Sequence, residues 1–359
     1  MFLRSLRAHC FRNLKSLDVA FEPGANLFFG GNGQGKSNLL EAIYVLANTK
    51  SFRTAHLGQC LQQGESQFFL QGEVRRNGID RKIVLSWQAG VRDLRLHDKS
   101  ALPLHYLGNL DALAVSFDQL PIVRGAPSER RRFLDRGIAQ LKKAYLHTLA
   151  DFHRALRQRN GLLLRIRSGT AAIGELEPWE EIYADLALAV TQERERYVQR
   201  LNEHLPAVRF SEDDLRLEYV ASVGQRETKS LCKAFAVLRP HEIRYARTLQ
   251  GPHRDELKIL LGENEIQKFG SGGQQRSAVF TLLFAVLDIY FIENKEHPVL
   301  LIDDLDAELD ADRLRAILEG LQTGRQVFIS SSKKKLIESI GCGKKWEVRG
   351  GILSPADSY

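Results

Sequence analysis

The chain has 359 residues, 43% of them hydrophobic and 26% charged, the balance of a globular protein with room for one large domain or two smaller ones. Its formal net charge of +7 favours an acidic polymer or anionic surface as partner and carries no information about fold. The four cysteines, Cys10, Cys60, Cys232 and Cys342, form no CxxC pair, which argues against a zinc site or a disulfide framework. No apolar run approaches the ~18 residues of a membrane span and arginines interrupt the N-terminus, so the expectation is a soluble, cytoplasmic protein with no membrane partner.

In chain order, residues 2–10, 17–21 and 26–29 are strand candidates, and the last runs straight into "GGNGQGKS", Gly30 to Ser37. This fits G-x-x-x-x-G-K-[ST] between a strand and a helix expected over 38–47, the context that gives the motif its mechanism. Backbone N–H groups of Gly30, Gly31, Asn32, Gly33, Gln34 and Gly35 would wrap a triphosphate at the helix start near Asn38. Lys36 would reach its β- and γ-phosphates, and the Ser37 hydroxyl would hold Mg²⁺. Residues 67–96 then alternate apolar and polar around Asn77-Gly78, predicting an antiparallel hairpin sheet.

From about residue 126 to 204 the apolar spacing turns helical, with Leu186, Val190, Tyr197, Leu201 and Leu205 on one face. Sustained heptads are missing, so these helices form a compact insertion and not a coiled-coil arm. Between Arg124 and Arg167 twelve Lys or Arg stand against three acids, a surplus that can neutralise backbone phosphates with little reading of sequence. Arg130, Arg131, Arg132, Arg157 and Arg159 are the candidates for that contact; the alternative is an ordinary solvated face. His253 and Arg254, on an expected turn, are further candidates for a nucleotide- or DNA-side contact, with a capped turn as the alternative.

Strand character returns near residue 241. "PVLLIDD", an expected helix over 311–321, and "RQVFIS" read as a βαβ unit with buried parallel strands. The apolar residues 299–302 deliver Asp303, placed to hold Mg²⁺, and Asp304, placed to orient or deprotonate an attacking water. The implied fold is an α/β P-loop head, with a mixed sheet and an antiparallel β subdomain, built from residues 1–110 and 242–359. Residues 111–241 form the inserted helical lobe.

"FGSGGQQRSA", Phe269 to Ala278, is glycine-rich yet has no Lys for a phosphate. Ser271, Gly272, Gly273 and Gln274 match the SGGQ of the signature in ATP-binding-cassette ATPases, and Glu308-Leu309-Asp310 resembles their D-loop. In that class the signature caps the nucleotide held by another subunit, so the resemblance implies an ATP-dependent homodimer. Transporter ATPases of the class end the last core strand with a switch His; here Ser330, Ser331 and Ser332 stand in its place, and Ser331 is the expected catalytic substitute.

The chain as a whole resembles the RecF family, related to SMC and Rad50 heads, through "FRNLKSLDVAFEPGANLFFGGNGQGKSNLLEAIY", "SFRT" at 51–54, "RRRFLD" at 130–135, "LRQRNGLL" at 156–163, "GPHRDEL" at 251–257, "GQQRSA" and "LIDDLDAELD". The resemblance implies a slow, DNA-stimulated ATPase that takes ATP and Mg²⁺. It also implies binding to duplex DNA and gap junctions, and work with RecO and RecR in loading recombinase. It carries the phosphate-loop, acid and signature roles onto Lys36, Ser37, Asp303, Asp304, Ser271 and Gly273. Arg53 is expected to couple DNA to the ATP site. Val115 is followed by "SFDQL" where relatives commonly have a Pro-acid pair, so Gln119 or Asp118 is left as the Mg²⁺-sensing group. The competing readings are a transporter ATPase subunit, opposed by the helical insert and the absent switch His, and an SMC or Rad50 head, opposed by the short insert.

Overall fold

The computed structural model describes residues 1–115, 120–208, 214–224, 226–304 and 325–356. They divide into two compact units, Met1–Leu120 with Tyr290–Tyr359, and Pro121–Ile289.

The first unit is the expected head. Alternating burial along Phe2–Phe11 gives one buried and one wet face, and this strand pairs antiparallel with Leu14–Ala20 and Gln67–Arg76. The sheet continues through Ile79–Gln88, Val91–Leu96 and Lys99–Ser100. Asn77 and Gly78 both take positive φ, 51° and 77°, as a two-residue hairpin turn requires. A second, mixed sheet has the order Ile352–Pro355, Lys344–Arg349, Ala25–Phe29, Val327–Ser331, Val299–Ile302, Ala112–Val115. Four of its five pairings are parallel, and its strands Ala25–Phe29, Val299–Ile302 and Val327–Ser331 are buried nearly throughout, as strands covered on both faces must be. The helix Lys36–Asn48 is buried from Leu39 to Ala47. It shares one core with residues of both sheets, including Leu6, Leu70, Phe28, Val299 and Phe328. A helix enclosed in this way cannot shift without breaking the core, so the phosphate loop that precedes it is held rigidly. The helix expected over 311–321 lies outside the described residues.

The second unit contains the long helices Pro127–Leu141, Ala144–Arg167, Glu177–His204 and Thr228–Tyr245. It also holds a small antiparallel sheet of Leu215–Val220, Glu256–Leu261 and Asn264–Glu265. The unit boundaries differ from those expected. Residues 242–289 group with the helical unit because Glu256–Leu261 pairs along its whole length with Leu215–Val220. Residues 111–120 stay with the head because Ala112–Val115 adds a parallel edge strand to Val299–Ile302. One helix, Gly272–Asn294, is long and apolar enough by composition to cross a membrane, which corrects the expectation that no segment approaches that length. Ala278, Leu282, Leu283, Ala285 and Ile289 are nevertheless buried within the protein, as in a core helix.

Candidate functional site

Within the head, the phosphate loop is held by close backbone approach. A side chain at Gly30 would place its Cβ 2.3 Å from the Val348 carbonyl oxygen. At Gly35, with φ 113°, a Cβ would sit 2.8 Å from Asn13 Oδ1, so both positions tolerate only glycine. The tight turn Gly350-Gly351 props the loop: Gly350 N–H donates to Gln34 Oε1 (2.7 Å) and Gly351 N–H to the Gln34 carbonyl (2.8 Å). Gly31, Asn32 and Gly33 stay exposed. The Lys36 ammonium, 4% exposed, donates to the carbonyls of Gly30 (2.8 Å) and Gly31 (3.0 Å), so it is already drawn back across the loop.

Asp303 follows Val299–Ile302, its N–H bonded to the Val115 carbonyl at 2.9 Å. The Ser37 hydroxyl hydrogen-bonds the Asp303 carboxyl. Burial drives that carboxyl above its ordinary range, hydrogen bonds from Ser330 and Ser37 offset this in part, and the charge of Asp304 pushes it up further. A hydroxyl and a carboxylate converging in this way are hard oxygen donors of the kind Mg²⁺ takes, and a cation there would favour ionised Asp303. Among the described residues no group of three or more His, Cys, Asp or Glu could hold a metal by itself, so phosphate and water oxygens would have to complete the shell.

Asp304 has φ 52°, a left-handed backbone that Asp tolerates better than most side chains. The hydroxyl that joins the two acids is that of Ser330: it donates to Asp303 Oδ1 at 2.5 Å and accepts from the Asp304 N–H at 2.9 Å. Ser331, expected as the catalytic substitute for the switch His, is not the serine that joins the acids. Its Oγ instead accepts from the Lys333 N–H at 2.9 Å, because neighbouring strand residues face opposite sides. The sequence signal that could have chosen between them is that same alternation, counted from Val327. Gln119, Asp118 and Asp310 lie outside the described residues.

Behind the loop lies a group that the sequence reading did not single out. Glu41, completely buried on the phosphate-loop helix, accepts two hydrogen bonds from Arg12 (2.9 and 2.8 Å), one from Ser51 Oγ (2.5 Å) and a longer one from Arg53 (3.3 Å). Arg53 also donates to Asn38 Oδ1 (2.8 Å), and Asn38 Nδ2 donates to Asn13 Oδ1 (2.8 Å). Burial alone would raise the Glu41 carboxyl, yet hydrogen bonds from Arg12 and Ser51 bring it below its usual range. The adjacent Cys60 thiol is pushed up to about 12 by burial and by the charge of Glu41. The scattered motifs "FRN", "NLLEAIY" and "SFRT" therefore meet at one carboxylate.

Within the second unit, Ser271 and Gln274 form a reciprocal cap on the helix Gly272–Asn294. Ser271 N–H donates to Gln274 Oε1 (3.0 Å), and Gln274 N–H to Ser271 Oγ (3.2 Å). Ser271, Gly272 and Gly273 are exposed, and Phe269 beside them is 72% exposed. Gln275 Nε2 donates to the carbonyls of Ile266 (3.0 Å) and Gly270 (3.1 Å), fixing the turn that leads into the motif.

The basic stretch divides sharply. Arg159, expected at DNA, has no exposed side chain: it pairs with Glu180 (3.0 Å) and Glu242 (2.5 Å) and stacks over Phe235. Arg130, likewise expected at DNA, is 6% exposed and forms a two-pronged bond to Glu256 (2.7 and 3.0 Å). Both expectations are corrected, because a buried guanidinium is retained only when acids neutralise it. Arg131 donates to the Asp255 carbonyl (2.8 Å), whereas Arg132, paired with Glu129, and Arg157 are exposed. His253 is half-buried. Its Nε2 lies 3.1 Å from the Thr248 carbonyl and its Nδ1 3.2 Å from the Tyr183 hydroxyl, and burial lowers its pKa to about 4. Arg254 is exposed. Arg194, which joins Asp135 (2.8 and 3.0 Å) to the Pro252 carbonyl (2.7 Å), was not recognised from the sequence because an isolated Arg on a long helix gives no signal.

A family model described as the RecF/RecN/SMC N terminal domain matches residues 2–85. The chain is 31% identical to the DNA replication and repair protein RecF of Ligilactobacillus salivarius, over 92% of this chain and 91% of that protein. To the RecF of Heliobacterium modesticaldum it is 32% identical over 99% of each. Among solved structures, the recombination mediator protein RecF-ATP in the RecFOR pathway superposes with a TM-score of 0.93 at 30% identity, over 99% of this chain and 98% of that one. An SMC head bound to the C-terminal winged-helix domain of ScpA, with a TM-score of 0.59 at 15% identity, shares the fold. Near-complete coverage by relatives at 31% and 32% identity establishes that the chain belongs to the RecF family.

Proposed function

We propose that the protein is an ATP-dependent DNA-binding ATPase of recombinational repair. Two copies close on duplex DNA beside single-strand gaps and act with RecO- and RecR-type mediators in loading recombinase. The observation that carries the reading is the division of labour along the chain. Lys36, Ser37 and Asp303 converge in the head, while the exposed Ser271–Gln274 loop, which has no Lys of its own, belongs to the other unit.

In this reading the Gly30–Gly35 amides hold the phosphates, and Lys36 exchanges its bonds to the Gly30 and Gly31 carbonyls for phosphate oxygens. Ser37 and Asp303 hold Mg²⁺, which neutralises phosphate charge when bound. Asp304 orients the attacking water, steadied through its backbone by Ser330. Ser271 releases its bond to Gln274 and caps the phosphate held by the second copy. Asp304 is one methylene shorter than the Glu usual in this class and holds the water less closely, so hydrolysis serves as a slow timer that reopens the dimer. Exposed Arg132 and Arg157 supply phosphate contacts, and the pair Arg53–Asn38 links that event to the loop helix. The name and pathway of the structural relative RecF-ATP support the mediator role.

Sedimentation of the wild type and of Lys36→Met, with ATP and with or without a gapped duplex, tests the proposal. The wild type is expected to double its mass with ATP, and Lys36→Met to remain a monomer. If neither ATP nor DNA changes the wild-type mass, the clamp reading fails.

A further inference from the structure

In the second unit, Val123, Arg124, Gly125, Arg130, Lys258 and Lys268 help line a cavity of roughly 500 Å³ beside the signature loop. Three of its four cations are neutralised: Arg130 by Glu256, Lys258 by Glu218 and Lys268 by Glu265. Arg124, which is exposed, forms no ion pair among the described residues. It is nevertheless fixed in place. Its Nε donates a short hydrogen bond to Gln275 Oε1, and Gln275 is the residue whose amide clamps the turn into the signature. Its carbonyl accepts from Gln267 Nε2 (3.1 Å), and the next carbonyl, that of Gly125, accepts from Arg130 (2.9 Å). Gly125 makes the bend possible, since a Cβ there would lie 2.5 Å from the Pro121 carbonyl oxygen. The result is a guanidinium whose Nη2 stands 3.6 Å from the point where a Cβ of Gly272 would be.

A free charge held this firmly against a glycine of the signature has an evident use. We infer that Arg124 is a phosphate-contacting residue that acts in trans: its two Nη groups bind the terminal phosphate oxygens of the nucleotide held by Lys36 of a second copy, alongside Ser271. A planar guanidinium is suited to two phosphate oxygens at once, and its positive charge stabilises the charge that develops there during hydrolysis. Arg124 moves no proton and forms no bond. The small side chains at Gly272 and Gly273 leave the approach open. The inference rests on the proposed ATP-driven dimer and adds to it a specific residue.

Mixing variants separates the two ideas. Arg124→Ala and Arg124→Gln are each expected to bind ATP as monomers with wild-type affinity, while single-turnover hydrolysis falls at least ~1,000-fold, the lower end for loss of an arginine that contacts a transferring phosphate. The Gln variant retains a donor for Gln275, so its failure reports the lost charge and not a collapsed loop. Mixing Arg124→Ala with Lys36→Met in equal amounts should restore hydrolysis well above that of either variant alone, because each mixed dimer has one intact site, built from Lys36 of one chain and Arg124 of the other. Ser271→Arg mixed with Lys36→Met is the control. If the control recovers and the Arg124 mixture does not, or if Arg124→Ala alone hydrolyses at the wild-type rate, the inference is overturned and the dimer stands. If neither mixture recovers, the dimer reading fails and this inference falls with it.

Discussion

Glu41 in the head and Arg159 in the helical unit are both completely buried charges at the centre of ionic clusters, yet they are built in opposite ways. Around Glu41, one acid holds two arginines unequally: Arg12 by two close bonds, Arg53 by one long contact that leaves its side chain 36% exposed. Around Arg159, two acids, Glu180 and Glu242, and Thr248 hold a guanidinium with no exposed surface, and Glu180 also takes Arg239 at the rim. In the first arrangement Arg12 and Ser51 satisfy the carboxylate by close bonds, and Arg53 is shared between Glu41 and Asn38. In the second the central guanidinium is itself enclosed and serves as framework. Density of arginine in a motif is therefore no guide to which arginines meet a ligand; whether the folded cluster encloses the guanidinium is.

The largest effect that separates the two clusters should come from Arg159→Met. It leaves the buried Glu242 carboxylate without its arginine and Glu180 with Arg239 alone, and is expected to cost ~3–5 kcal/mol of unfolding free energy, read by denaturant titration. A cost below ~1 kcal/mol accompanied by weaker DNA binding would make Arg159 a contact after all. Next in size is a pH effect in the same unit. The pKa of His253 is lowered from 6.5 to about 4, so the unfolded state binds the proton more readily than the folded state. Its contribution is complete above pH 6.5 and is lost as pH falls toward 4, by up to ~3 kcal/mol. His253→Asn should flatten the stability profile in that window, and an unchanged slope would contradict the lowered pKa.

In the head, Glu41→Gln should cost roughly 1.5–3 kcal/mol, the worth of hydrogen bonds to a charged group. Its sign with pH is that of a depressed carboxyl: the stabilisation is present above pH 4.5 and is lost below it. The Cys60 thiol should also titrate lower in the variant, because a charge that raises it is gone. The smallest effect is expected at the exposed rim. Arg157→Ala should leave stability unchanged and reduce the salt dependence of DNA binding by about one phosphate contact.

These clusters also mark where the sequence was readable. The phosphate loop, the Asn77-Gly78 turn and the parallel strand pair 299–302 and 327–331 were legible because each follows from local geometry: glycines where a Cβ collides, a turn that needs positive φ, strands that open on an unbroken apolar run. Ser330 could not be told from Ser331 by type, only by which side of the strand faces Asp303. Arg159 and Arg130 looked like DNA contacts because their neutralising acids, Glu180, Glu242 and Glu256, lie 21, 83 and 126 residues away. The boundary near residue 242 failed for a similar reason. Glu256–Leu261 pairs with Leu215–Val220 across an intervening helix, a long-range choice that no local pattern records.

The central claim is that the loop at Ser271–Gln274 completes a site begun by Lys36 of another copy. The most direct test is Ser271→Arg, with ATP affinity of the monomer and ATP-driven change in sedimenting mass measured on the same sample. The account predicts near-wild-type ATP binding together with loss of the dimer. A variant that still doubles its mass with ATP would contradict it.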